Sequence, residues 1–584
     1  MHVVLELCRD SGFITILFPR RRSARMATGT LDGVIEAVGV CGPFQGLLVL
    51  AAHSTIVVSV WGMMLMAFGS YNPGWSCLDD FPGLNFSARY WPSSDFVLSD
   101  NASAPANTTD QCSLFRTCEN VTFLAGASTV VSEWGLVCDH KWAPSVIFTV
   151  QMVGVLLGAY IAGHLGDSVG RRACLYGMVG LHGIANLIAV FSPSWQVFTV
   201  FRFFIGVAVG GILTTSFIVP MEFTGQFWRG IVGSLPTWNI GAALFSVAVI
   251  VLKDWRKLHV LSGIVSGLAF LAVFWVPESL RWLTVHGRDV KAGAVATKIA
   301  RLNQRPLPSL ELLAEMAESE RQRAIIERSE RYTYIDLIRG STIRNKTIIM
   351  GFIWVSMAFV YYGISFGVPN LSGDFYINFL ILSLMEVPAM LFVLPTLSFL
   401  SRRWGSAILF SCVFLACFGV TVVTLALGCD LCDQSMEKGN VLKEKLTMGL
   451  AVIAKVGTIG AWNVITIFCG ELFPTAVRNL SSGYLNALAR IGGMLGPVLF
   501  PQDPGQLHWA MAGMGLVIVA CAGLVLLLPE TKGAPLEDTL RPVKTQDLGL
   551  PYGGDALLVN VQSGEITVDT ELEQNDKQNN LSKG

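Results

Sequence analysis

Apolar windows of about 20 residues, the length that crosses a bilayer's hydrocarbon core as a helix, recur twelve times along this chain. They lie at 45–69, 143–164, 174–191, 197–220, 231–252, 257–276, 346–368, 375–397, 405–428, 446–469, 480–500 and 506–528. Only "SPSWQ" parts the third window from the fourth. Two long polar stretches break the series, 70–142 after the first window and 277–345 between the sixth and seventh. The pattern predicts an all-α membrane protein in five parts: a segment 1–44, a six-helix half 45–276 carrying the 70–142 loop, a central loop 277–345, a second six-helix half 346–528, and a tail 529–584.

Composition strengthens this picture. Of 584 residues, 52% are hydrophobic and 14% charged, where soluble domains carry about 25% charged residues. A net charge of −1 offers no basic footprint for nucleic acid. The N-terminal run "GFITILF" is short and its basic cluster "RRRSAR" follows rather than precedes it, so it does not read as a signal peptide. Met26 is an alternative start, and the first 25 residues are expected to be loosely ordered.

The two polar stretches differ in chemistry. Residues 70–142 hold four N-glycosylation sequons (Asn85, Asn101, Asn107, Asn120), four cysteines and three Lys/Arg. Residues 277–345 hold twelve Lys/Arg and no cysteine. Positive loops stay in the cytosol, and disulfides and glycans belong outside. Both termini are therefore expected in the cytosol, in a multi-pass protein of the plasma membrane. Cys77, Cys112, Cys118 and Cys138 are expected to form two disulfides, with three connectivities open. Mixed charges in "LLAEMAESERQRAIIERSERY" predict a solvated helix in the central loop, and the polar tail from about 533 predicts disorder.

The halves repeat. Glu222 precedes Arg229 by seven residues in "PMEFTGQFWRG", and Glu471 precedes Arg478 by seven in "GELFPTAVRN". "VPESLRWL" follows the sixth window and "LPETKG" the twelfth. Two such coincidences at matching places indicate a parallel duplication, the plan of the major facilitator fold with its midplane substrate site. "GHLGDSVGRR" between the second and third windows completes it: glycines permit the tight turn, and Asp167, Arg171 and Arg172 offer charge-assisted hydrogen bonds to helix ends. Its second-half copy, "FLSRRWGS", lacks the aspartate.

Over residues 33–540 the chain resembles the organic ion transporter family of the major facilitator superfamily, which comprises organic cation, organic anion and carnitine/zwitterion carriers. "STVVSEWGLVCDHKW", "GHLGDSVGRR", "FRFFIG", "YYGISF", "LSGDFYINFLILSLMEVPAM" and "GELFPTAVRN" carry the resemblance in order, and "GDFYINF" and "FLSRRW" are most similar to the carnitine/zwitterion branch. The resemblance implies alternating access without covalent chemistry, so no enzyme activity and no cofactor are expected, while sodium coupling stays open. It also implies gating roles for Asp167, Arg171, Arg172, Glu222, Arg229, Glu471 and Arg478.

Charges deep in apolar windows are the candidate chemistry. Arg490 lies ten residues from Leu480, about 15 Å at ~1.5 Å per residue, too deep to reach water easily. Glu386 lies eleven residues from Phe375, at similar depth, beside the helix-loosening Pro388. Either they pair with each other or with neighbours to hold the bundle, or both face a cavity and meet the charges of a substrate; intramembrane ionisable groups favour the second. Trp354 and Tyr361 share a helix face suited to a quaternary ammonium, with Tyr362 beside them. Lys455, Trp462 and Asn463 are further candidates, Lys455 as a substrate ligand or an interhelical ion-pair partner. In the family, cation carriers place an aspartate at the position of Arg490, whereas anion and zwitterion carriers place arginine there. A retained acid with a gained base favours small zwitterions or cations of carnitine or betaine type. The rivals are an organic anion exchanger using Arg490 and Lys455, and a transport-deficient receptor or scaffold. His164 and His182 read as packing residues, and "CDLC" at 429–432 as loop chemistry rather than a metal site.

Overall fold

The computed structural model describes residues 30–77, 88–91, 94–98, 112, 115–116, 118, 121–123, 126–233, 235–329, 333–368, 374–389, 400–426, 436–499, 507–532, 560–562 and 565–567. The four sequon asparagines, the "CDLC" stretch and the first 25 residues lie outside them. Two units are distinguished, residues 1–536 and 537–584. In the second, Asn560–Gln562 pairs antiparallel with Glu565–Thr567, a short ribbon where the polar tail predicts disorder.

A helix falls in every one of the twelve apolar windows. After α1 (Leu31–Val38), the first half contains α2 (Pro43–Gly69), α3 (Ala143–Ser168), α4 (Arg171–Ala189), α5 (Trp195–Met221), α6 (Gln226–Gly233), α7 (Thr237–Leu252) and α8 (Trp255–Phe270). The central loop folds into α9 (Leu280–Val285), α10 (Asp289–Leu302) and α11 (Leu310–Ser329). The second half contains α12 (Ser341–Phe366), α13 (Phe375–Leu384), α14 (Arg402–Ala426), α15 (Met436–Leu472), α16 (Thr475–Leu499) and α17 (Leu507–Val525). Among the described residues eight helices are long and apolar enough to cross a membrane, and α7 and α13 are shorter apolar helices. At the junction hardest to read in the sequence, α4 ends at Ala189 and the Ser194 side chain accepts from Val197 N–H to start α5.

Glycines let α3 and α5 touch along their backbones. A Cβ at Gly158 would lie 2.0 Å from the Val207 carbonyl oxygen, and one at Gly210 2.0 Å from that of Val155. In the second half α16 presses on α12 in the same way, a Cβ at Gly492 falling 2.0 Å from the Val355 oxygen. Small residues at such seams replace the hydrophobic drive that helices lack in lipid. The halves meet reciprocally: α3 of the first packs on α16 of the second, and α7 of the first on α13 of the second. Ser145 Oγ donates to the Pro497 oxygen at 2.9 Å and Ser246 Oγ to Ser383 Oγ at 2.8 Å across these contacts.

The 70–142 segment is more than a stapled loop. Strands Trp75–Cys77, Ala88–Trp91, Ser94–Leu98 and Val121–Phe123 form an antiparallel sheet in which the first strand is flanked by the second and fourth. Cys112 and Cys138 are disulfide-bonded, and Cys118 is also in a disulfide. At this loop-bearing end the halves close on aromatic rings: Tyr71 stacks on Phe375 at 4.2 Å, and Phe148 meets Phe366 at 4.2 Å.

The opposite end shows the duplication in chemical detail. In the first half Arg171 reaches Asp167 at 2.5 Å and Glu222 at 3.6 Å, while Glu278 accepts from the Arg172 N–H at 3.1 Å. In the second half Arg402 reaches Glu471 at 3.0 Å, while Glu530 accepts from the N–H groups of Arg402 and Arg403 at 2.9 and 3.1 Å. Each acid covers the bare N–H groups of a helix start, where the helix dipole favours negative charge. Gly170, at φ +122°, is obligatory here: a Cβ would lie 2.4 Å from Glu278 Oε2. The Arg229 guanidinium donates to Asp32 on α1 at 2.5 Å and to the Met221 and Thr224 oxygens. The α11 helix falls within the stretch of mixed charge, but it is not wholly solvated: Glu320 is buried and paired with Arg281 at 3.1 Å.

Candidate functional site

Glu386 owes its position to a proline. Pro388 has no N–H for the Leu384 carbonyl, and α13 stops at Leu384, with a turn at Met385 and one further helical stretch at 386–389. This break, at a depth where α7 of the other half packs against α13, directs the carboxylate into the seam between halves. It is 2% exposed and nearly saturated with donors. Its Oε1 takes Lys455 Nζ at 3.2 Å and the Tyr361 hydroxyl at 3.2 Å; its Oε2 takes Asn239 Nδ2 at 3.0 Å.

Lys455, 3% exposed, comes from α15. Its ammonium lies 3.6 Å from the Tyr361 ring centroid and contacts Ser365 Oγ, one turn along α12 from Tyr361. The first half contributes two neutral groups from α7: besides Asn239, Trp238 Nε1 donates to the Tyr361 hydroxyl at 2.8 Å. Glu386 and Arg490 are thus not each other's partner. The acid of the second half is bound to the lysine of the same half and clasped by neutral donors of the first.

Arg490 is half-buried and has no carboxylate partner among the described residues. It interacts with the side chain of Tyr362, which also neighbours Glu386. Gly493, on the same face of α16 three residues on, lies against Met152 of the first half and the Tyr362 ring. Arg490 therefore belongs to the same seam as Glu386, with Tyr362 between them. Trp354 and Trp462 complete an aromatic wall, their rings 5.3 Å apart, and the Trp354 Nε1 is buried without a partner among the described residues. Asn463, one residue on from Trp462, turns its amide back to the Ile459 oxygen at 3.0 Å.

Of the residues singled out from sequence, Tyr361, Tyr362, Glu386, Lys455 and Arg490 converge, with Trp354, Trp462 and Asn463 on the adjoining wall. The residues expected to act in gating lie at the end opposite the 70–142 loop, joined by Arg402 and Glu530, which sequence reasoning missed. It also missed Trp238, Asn239 and Ser365. Being neutral residues in apolar helices, these carry no charge signal in the sequence. His182 is fully buried and bonded to Ser266 at 2.9 Å, a packing role.

Two helical halves with reciprocal seams and a buried charged cluster between them fit a major facilitator carrier. The family model described as "Sugar (and other) transporter" matches residues 100–541. The chain belongs to that transporter family of the major facilitator superfamily, a multi-pass membrane carrier rather than an enzyme. It is 29% identical to the organic cation transporter protein of Drosophila melanogaster, over 87% of this chain and 93% of that one. It is likewise 29% identical to the organic cation/carnitine transporter 2 of Homo sapiens, over 71% of each. Among solved structures, the partially occluded inward-open conformation of the xylose transporter XylE from E. coli superposes with a TM-score of 0.57 at 14% identity, over 84% of this chain and all of that one. This last likeness concerns the fold alone.

Proposed function

We propose that this protein carries small organic ions bearing a carboxylate, with carnitine- or betaine-like zwitterions as substrates, across the plasma membrane by alternating access. The observation that supports this most directly is the division of charge at the seam. Glu386 already has Lys455, whereas Arg490 has no acidic partner among the described residues. Among the described residues one positive charge is left without a carboxylate in the seam, where an unpaired ion is costly, and a substrate carboxylate relieves it through a charge-assisted hydrogen bond. Trp354, Trp462 and Tyr362 offer aromatic faces to a quaternary ammonium, which has no N–H and needs no acceptor. The relatives named for organic cations and carnitine support the substrate class.

A second reading, an organic anion exchanger, is favoured by the near-saturation of Glu386, which leaves no free acid for an ammonium. Uptake normalised to surface expression separates the two, comparing carnitine, succinate and tetraethylammonium with and without sodium. Carnitine is expected to be taken up best. Arg490→Asp is expected to cost about 2–4 kcal/mol, the scale of a broken buried charge pair, or roughly 30- to 1,000-fold in uptake. Fast succinate with no carnitine uptake would transfer the assignment to anions. Carnitine uptake at wild-type rates in Arg490→Asp would sink the proposal, and no uptake of any probe would favour a receptor or scaffold.

A further inference from the structure

We propose that Lys455 is a tethered stand-in for a substrate's cation, occupying the ammonium subsite of the empty carrier and so excluding pure organic cations. This rests on the reading of the midplane cluster as the substrate site. Three groups that recognise an organic ammonium converge on one atom. Lys455 Nζ has the Glu386 carboxylate at 3.2 Å, the face of the Tyr361 ring at 3.6 Å from its centroid, and the Ser365 hydroxyl in contact. Carboxylate and aromatic face together are what a desolvated cation seeks. Here they are filled from within the chain.

The surroundings make the occupation exclusive. Glu386 and Lys455 are both almost wholly buried, and the other carboxylate oxygen is held by Asn239 of the first half. Tyr361 is fixed in turn by Trp238. An incoming cation finds the acid already neutralised and meets a second positive group in Arg490, so like-charge repulsion opposes it from two sides. A zwitterion escapes this, because its carboxylate compensates Arg490 while its ammonium uses the Trp354–Trp462 wall. A purely structural ion pair would hold the same two helices together, yet its removal would create no cation site.

The test uses tetramethylammonium as probe and purified full-length carrier in lipid nanodiscs. Wild type is expected to bind it weakly and to gain no thermal stability from it. Lys455→Met bares Glu386 and is expected to bind the probe at least 10-fold more tightly, with a rise in melting temperature on its addition. Lys455→Arg, which keeps a cation on the acid, is expected to behave as wild type. A Lys455→Met carrier that gains neither affinity nor stabilisation would overturn the proposal and leave Lys455 a structural partner. Should that variant fail to fold, Lys455→Gln, which keeps a neutral donor on the acid without the charge, takes its place: tighter probe binding than in wild type supports the proposal, and wild-type affinity overturns it. The carnitine dependence on Arg490 is read separately, so the substrate assignment and the role of Lys455 can fail independently.

Discussion

Glu386 and Lys455 should be strongly coupled in stability, and a double-mutant cycle measures this directly. The two side chains are 3% and 4% exposed and their charged atoms lie 3.2 Å apart. At an effective dielectric of about 20 the attraction is about 5 kcal/mol, offset in large part by the desolvation of two ions. Glu386→Gln leaves a buried lysine without an acid, and Lys455→Met leaves a buried carboxylate with only neutral donors. Each single change should cost about 3–5 kcal/mol. The double variant leaves no orphaned charge, and the amide oxygen introduced by Glu386→Gln can still accept from either Asn239 or Tyr361, which bind different oxygens of the native carboxylate. Its cost should therefore be about 1–2 kcal/mol, on the scale of one or two neutral hydrogen bonds. The assay is denaturant unfolding of the purified carrier in mixed micelles for wild type, both singles and the double. If the two single losses simply add in the double within about 0.5 kcal/mol, as independent sites do, the pair does not exist as described and the charge assignment of the seam is wrong.

Asp167→Ala should lower maximal transport velocity more than substrate affinity, because Asp167 lies far along α3 from the seam and holds Arg171 rather than substrate. Its side chain is 74% exposed, so its ion pair adds about 0–1 kcal/mol to stability and the variant should reach the surface; an affinity change alone, with velocity intact, would count against a gating role. Gly158→Val should instead fail at folding, since its Cβ would sit 2.0 Å from the Val207 oxygen and force α3 and α5 apart. A loss of about 1–3 kcal/mol or more is expected from such overpacking, and normal surface expression with an unshifted melting temperature would refute the close packing.

The helices were legible because bilayer thickness sets their length, and the duplication because "E…R" spacings survive in both halves as bare sequence. The site was legible only in its charges. Glu386, Lys455 and Arg490 stand out against apolar surroundings, and their expense inside a membrane marks them. Their pairing was not legible. Lys455 is 69 residues from Glu386 and Arg490 is 104 away, and nothing local tells which base the acid meets. Trp238 and Asn239 were missed for a related reason: a neutral tryptophan and asparagine in an apolar helix carry no cost signal until the other half is placed against them. The sheet of the 70–142 segment was hidden by its short strands, three to five residues each, separated by glycines, prolines and sequons that read as loop.

The distribution of charge between the halves bears on how such a carrier can move. Glu386, Lys455 and Arg490 all belong to the second half, whereas the first half offers Trp238 and Asn239, both neutral. When the halves rock apart at one end, no ion pair among the described residues of this cluster has to break across the seam. At the charged cluster what separates is one neutral hydrogen bond, worth about 0.5–1.5 kcal/mol, and one to a charged acceptor, worth about 1.5–3 kcal/mol, with the neutral Ser145–Pro497 and Ser246–Ser383 hydrogen bonds elsewhere along the interface. A barrier of that size is crossed readily by thermal motion, and a bound ion can shift it either way by taking or leaving those donors. Had the acid and the lysine come from opposite halves, each cycle would expose an unpaired buried charge, at about 3–5 kcal/mol. Confining the strong pair to one half keeps the site charged enough to select a substrate and the seam weak enough to open.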